Sequence, residues 1–262
     1  MMKNLLNAGP SLWESCLILL LLVIGQLAVS FLGMLPMPLI YSLAYVFPLI
    51  YIFRLGAVRD GGAPSVVMGA SGRAGAWLML PVAVLVELSL VVLLGVATSW
   101  MQTPQWYDDM LRNMYGAELI GSAVTVCVAA PLLEELLFRR VILSGLLRRM
   151  RVWKAVAWSS LLFAVAHLNP WQAVPAFAMG CLFGWIYART ESYWTTVILH
   201  FVNNALTIAV VAFMGPDAAM GSLEQLVGAR AYWPVVALSA VVTVAGIWAL
   251  NKYLPRKQYN QV

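Results

Sequence analysis

The chain has 262 residues, 62% of them hydrophobic and 10% charged, with a formal net charge of +5. A soluble domain carries about 25% charged residues, so this chain lacks the polar surface to dissolve as a globule, and the bilayer is its solvent. A basic strip facing anionic headgroups accounts for the positive charge without a nucleic-acid partner.

A spanning helix needs ~20 mostly apolar residues. Eight runs approach that, at about 13–34, 36–55, 75–98, 119–147, 153–168, 171–189, 192–214 and 231–254. The expected fold is all-α: a polytopic membrane helix bundle of eight transmembrane helices, forming a single membrane-embedded domain over 1–262. No small-residue cleavage site follows the first run, so it reads as a retained helix and not a signal peptide. Cys16 lies at the start of that run and not after it, which argues against a lipoprotein anchor. With Cys127 and Cys181 it makes an odd, scattered set that gives neither a disulfide framework nor a CxxC site. All three read as packing residues.

Arg54 lies at the end of the second run and Arg59 just past it, and the third carries Glu87, an isolated acid that reads as a protonated packing residue. Segment 99–117 places Trp106, Met110, Met114 and Tyr115 on roughly helical spacing and reads as an interfacial helix. Acidic residues gather there (Asp108, Asp109, Glu118) and again at Asp217 and Glu224. Basic residues gather at "RRMRVWK" (148–154) and at Lys252, Arg256 and Lys257. Under the positive-inside rule this alternation puts both termini in the cytoplasm. Gly180 and Gly184 form a small-xxx-small pair, the signature of a close helix contact.

The fourth run contains "PLLEELLFRR" (131–140), with two adjacent glutamates. A charge at mid-bilayer costs roughly 2.5–3.5 kcal/mol on insertion scales. Glu135 and Arg139 are four apart, on one helical face, with the acid N-terminal to the base, so they can neutralise each other. Glu134 is rotated about 100° from Glu135. It is the carboxylate left over, and it needs a partner from another helix, a wet cavity or a proton.

Both histidines of the chain lie in apolar runs: His167 ends "FAVAH", and His200 opens "HFVNN", where it shares a face with Asn204. At a rise of 1.5 Å per residue, Glu134 lies ~20 Å from the cytoplasmic end of its helix, His167 ~21 Å, Asn204 ~18 Å and His200 ~12 Å. These depths are compatible with one shared layer. A carboxylate in an apolar cavity is a competent general base near neutral pH. An imidazole can hold the attacked water, and a second imidazole with an amide can donate to an oxyanion. Such a set suits attack of water on a peptide carbonyl. Glu134, His167 and His200 could instead ligate zinc or another divalent metal, so the cofactor is left as none or one such ion. The chain has no HExxH, no GxGD and no GxSxG, the marks of other intramembrane proteases.

"EELLFR" (134–139), "FAVAH" (163–167) and "HFVNN" (200–204) together resemble the EExxxR, FxxxH and HxxxN motifs of the CPBP family. That family comprises CAAX prenyl endopeptidases and bacteriocin-processing enzymes, also called Abi proteins. The resemblance covers about residues 119–214. It implies an intramembrane endopeptidase in which Glu134 and His167 activate water and His200 with Asn204 forms the oxyanion hole. Glu135 and Arg139 would be a supporting ion pair. Both a metal-dependent and a metal-free glutamate mechanism fit the resemblance. It also implies a peptide or protein substrate at the membrane, with lipid as the other partner. The readings set against it are a proton- or ion-coupled transporter, because buried Glu, His and Asn also mark ion paths, and a non-catalytic immunity protein on the same scaffold.

Overall fold

The computed structural model describes residues 9–31, 35–59, 74–117 and 119–255. Glu118, Arg256 and Lys257, used above for the charge pattern, lie outside the described residues. Every regular element among the described residues is helical. In chain order these are α1 (Leu12–Val29), α2 (Met37–Ala44), α3 (Val46–Arg59), α4 (Ala74–Leu78), α5 (Leu80–Thr98) and α6 (Gln105–Ala117). A long helix, α7 (Leu119–Leu147), follows. Then come α8 (Val152–Val165), α9 (Pro170–Thr190), α10 (Tyr193–Met214), α11 (Pro216–Met220), α12 (Leu223–Val227) and α13 (Ala229–Tyr253).

Six of these are long and apolar enough to cross a membrane: α1, the pair α2–α3 taken as Met37–Val58, α5, α7, α10 and α13. The chain is an integral membrane protein of the polytopic helical kind. The other two expected spans are α8 and α9. Helix α8 has only 14 residues, about 21 Å of rise against a hydrocarbon core of ~30 Å. Helix α9 has 21 residues, but Gln172, Pro175 and Arg189 dilute its apolar character. The two pack on each other at close range. A Cβ added to Gly180 would sit 3.1 Å from the Cβ of Ser160, and one at Gly184 would sit 3.2 Å from Val156 Cγ1. The small-residue pair therefore marks a helix contact, as expected.

Helix α7 runs through the middle of the bundle, with Leu137, Phe138, Ile142, Leu143 and Leu146 all buried. Local chemistry starts the helices around it. Ser11 and Glu14 form a capping box at the head of α1, with Ser11 N–H donating to Glu14 Oε2 at 2.7 Å. Helix α1 then meets the end of α2 so closely that a Cβ on Gly25 would lie 2.2 Å from the carbonyl oxygen of Ala44.

Side-chain ties define the two ends of the bundle. At one end Arg149 Nη2 donates to Gly9 O at 3.1 Å. There too Arg189 donates to the carbonyls of Asn251, Leu254 and Pro255. At the other end Arg112 of α6 pairs with Asp217 of α11 at 2.7 Å, and Trp171 Nε1 donates to Gln102 O. The hydrogen bond that Arg112 donates to Asp217, more than any other cause, raises the ionisation of Arg112 above its ordinary range. Both described termini thus lie at the end that carries the 148–154 basic cluster.

Candidate active site

The site begins with a fault in the α7 ladder. Pro131 has no N–H to donate. Ala130 N–H bonds Thr125 O, five residues back, through a widened turn over Thr125–Ala129. The carbonyl of Val126 is thereby left without either helical donor, and Asn204 Nδ2 of α10 supplies one. Asn204 Oδ1 accepts from Asn203 Nδ2 at 3.2 Å. Wide turns of this type gather at functional sites. A second stretch over Glu135–Leu143 carries the charged motif.

Glu135 and Arg139 are buried together, at 0% and 1% side-chain exposure, with Arg139 Nε 3.2 Å from Glu135 Oε2. The guanidinium lies 4.5 Å above the Phe163 ring, a favourable cation–π arrangement. The expected ion pair is present, but it is not separate from the histidines. Glu135 Oε1 accepts a hydrogen bond from His200 Nδ1 at 2.9 Å. Glu135 thus joins Arg139 to His200.

Glu134 points elsewhere, as the helical rotation requires. Its Oε1 accepts from the hydroxyl of Tyr41 on α2. Its Oε2 lies 3.6 Å from His200 Nε2. His167 falls in the turn after α8, two residues past the helix end at Val165, and not within a span. Three neighbours build that turn. Leu168 takes a positive φ of 57°, Asn169 caps α9 by accepting from Gln172 N at 2.8 Å, and Pro170 takes the first helical position. His167 Nδ1 lies 2.9 Å from Phe163 O. A carbonyl only accepts, so Nδ1 carries the proton and Nε2 holds the free lone pair.

Glu134, His167, His200, Asn203 and Asn204 all line one cavity of about 610 Å³. Its walls come from α1, α2, α5, α6, α7, α8, α9 and α10, and are apolar through Leu94, Leu111, Met114, Phe163, Met179 and Phe183. Helix α6 turns Leu111, Met114 and Tyr115 to the cavity, while Trp106 is exposed. Tyr107 on α6 packs 5.1 Å from Trp171, and its phenol is pushed up to about 12, mainly by burial. Glu87 is fully buried on α5 and does not line the cavity. Among the described residues, no three His, Cys, Asp or Glu side chains gather as a metal-holding group. Glu134, His167 and His200 do not form such a group.

Residues 116–206 match the family described as type II CAAX prenyl endopeptidase, Rce1-like. The match covers less than half of the chain. All the polar side chains of the cavity motifs fall inside this Rce1-like segment. The chain is similar to "Membrane-embedded CAAX protease MroQ" of Staphylococcus aureus (strain USA300), 33% identical over 107 residues, covering 38% of this chain and 42% of the relative. It is also similar to "Putative membrane peptidase YdiL" of Bacillus subtilis (strain 168), 30% identical over 81 residues, covering 31% and 33%. The aligned region spans less than half the length of either curated relative. No solved structure matches the chain.

Asn203 and Tyr41 are among the polar cavity residues that the sequence motifs do not single out. Asn203 is adjacent to a motif position, and its neighbour Asn204 drew the attention. Tyr41 lies outside the Rce1-like segment, and its only sequence signal is the i, i+4 spacing to Tyr45.

Proposed function

We propose that the chain is an intramembrane endopeptidase that hydrolyses a peptide bond with water activated by Glu134 and His167. The observation that carries this reading is the convergence of Glu134, His167, His200 and Asn204 on one apolar-walled cavity, with Arg139 turned instead to Glu135. Glu134 takes a proton from water, and the Nε2 lone pair of His167 accepts that water's second hydrogen bond. The hydroxide attacks the carbonyl carbon. The oxyanion accepts from His200 Nε2 and from the second Asn204 N–H, the first being held by Val126 O. His200 Nδ1 already donates to Glu135, so a donating Nε2 requires a ring that carries both protons. Glu134 then returns its proton to the leaving nitrogen as the C–N bond breaks.

The substrate class is a peptide or protein presented at the membrane, with lipid around it. The end of the bundle with the 148–154 cluster is the cytoplasmic one, and residues 1–262 act as one domain. Terminus profiling of membranes with and without the protein tests the activity. New peptide ends should appear with the wild-type chain and vanish with a folded Glu134→Gln variant. If that variant still generates the same ends, Glu134 is not the base and the reading fails.

A further inference from the structure

The hydroxyls of Tyr41 and Tyr45 lie 3.0 Å apart, with ring centroids at 5.5 Å. Tyr45 is only 2% exposed, and a buried phenol needs a partner. Each phenol has a single proton. A carboxylate has none to give, so the proton between Tyr41 and Glu134 Oε1 belongs to Tyr41. Tyr41 then has only lone pairs left for Tyr45, and Tyr45 must be the donor in that contact. The chain of hydrogen bonds has one direction: Tyr45 to Tyr41 to Glu134.

We propose that Tyr41, backed by Tyr45, is a positioning residue for the general base, and that it determines which oxygen of Glu134 does the chemistry. This rests on the hydrolytic role of Glu134 given above. With Oε1 bonded to the phenol, Oε2 is the oxygen left without a hydrogen-bond partner, and it is the one that faces His200 Nε2. The proton taken from water therefore lands on Oε2, inside the cavity where the leaving nitrogen will be. The hydroxide oxygen goes to the carbonyl carbon, and the same Oε2 proton goes to nitrogen when the C–N bond breaks. Neither tyrosine changes its own proton count. Helix α2 is held for this task by the close approach of Gly25 to Ala44 and by its packing on the widened Thr125–Ala129 turn of α7.

Infrared spectroscopy of the purified full chain in phosphatidylglycerol–phosphatidylethanolamine vesicles tests this without a known substrate. The Glu134 carboxylate band is identified by its loss in Glu134→Gln. Tyr41→Phe should displace that band and slow the appearance of wild-type-dependent peptide ends in membranes by about tenfold, the scale of one lost hydrogen bond to a charged group. Tyr45→Phe should displace the band less. If Tyr41→Phe does not fold, 3-fluorotyrosine at position 41 alters the strength of the donor in nearly the same shape and should still move the band. An unmoved band with either change at position 41, or a wild-type rate in Tyr41→Phe, overturns the proposal. Cleavage by Glu134→Gln would instead overturn the hydrolytic reading, whatever the band does.

Discussion

Arg139 is a cation at 1% exposure whose charge is balanced by Glu135. Removing one member of such a pair leaves the other charge buried, at a cost of about 3–5 kcal/mol. Arg139→Ala should therefore lower the thermal unfolding temperature of the purified protein in a single detergent. Glu135→Gln should do the same and also stop cleavage, because His200 Nδ1 loses its carboxylate acceptor. A Glu135→Gln protein that melts early but cleaves at the normal rate would confine Glu135 to a structural role. The residues at stake differ in how readable they were. A Glu, His or Asn in an apolar span is expensive, so Glu134, His167, His200 and Asn204 stood out against their surroundings. Tyrosine is common near membrane interfaces, so Tyr41 raised no such signal. The tie from Asn204 to Val126 depends on where Pro131 falls in the ladder and on which helix packs opposite, and the second of these is not written locally.

At the scale of helices, the close contacts sort into two kinds. At Gly25 an added Cβ would meet backbone, the Ala44 oxygen at 2.2 Å, whereas at Gly180 it would meet side-chain atoms of Ser160 and Phe163 at 3.1–3.3 Å. Backbone cannot rotate away, so Gly25→Ala must push α1 and α2 apart. A cost of about 1–3 kcal/mol is expected there, with a smaller one for Gly180→Ala. Because α2 carries Tyr41, Gly25→Ala should also reduce cleavage beyond what its loss of folded protein explains. Equal melting temperatures for the two variants would contradict this ordering. The helix ends were less readable than the helices. Hydropathy carried the fifth expected span on to 168, but the Leu168–Asn169–Pro170 turn ends α8 at Val165 and frees His167 from helical constraint. Likewise the spacing in 99–117 announced an amphipathic helix. The side that meets the cavity was set by the position of α9, through the contact of Tyr107 with Trp171.

For the molecule as a whole, charge and contact agree on which segments share an end. The sequence pattern grouped Asp108 and Asp109 with Asp217, apart from the 148–154 cluster, and the Arg112–Asp217 pair joins the two acidic segments. Arg149 on Gly9, and Arg189 on the stretch ending at Pro255, gather the basic loop and both described termini at the opposite end. A helix cannot turn over within the bilayer, so these groups must meet water on opposite sides. Positive charge selects the cytoplasmic one. In intact cells a membrane-impermeant maleimide should therefore modify Asp217→Cys, whose parent side chain is 78% exposed. It should reach Arg151→Cys only after the membrane is opened. The parent chain, with free Cys16, Cys127 and Cys181 in its helices, supplies the background. Labelling in the reverse order would keep the bundle and invert its insertion. Labelling of both sites from one side would mean that the two ends of the bundle are not on opposite faces of the membrane, and the water of the proposed hydrolysis would then need another route into the cavity.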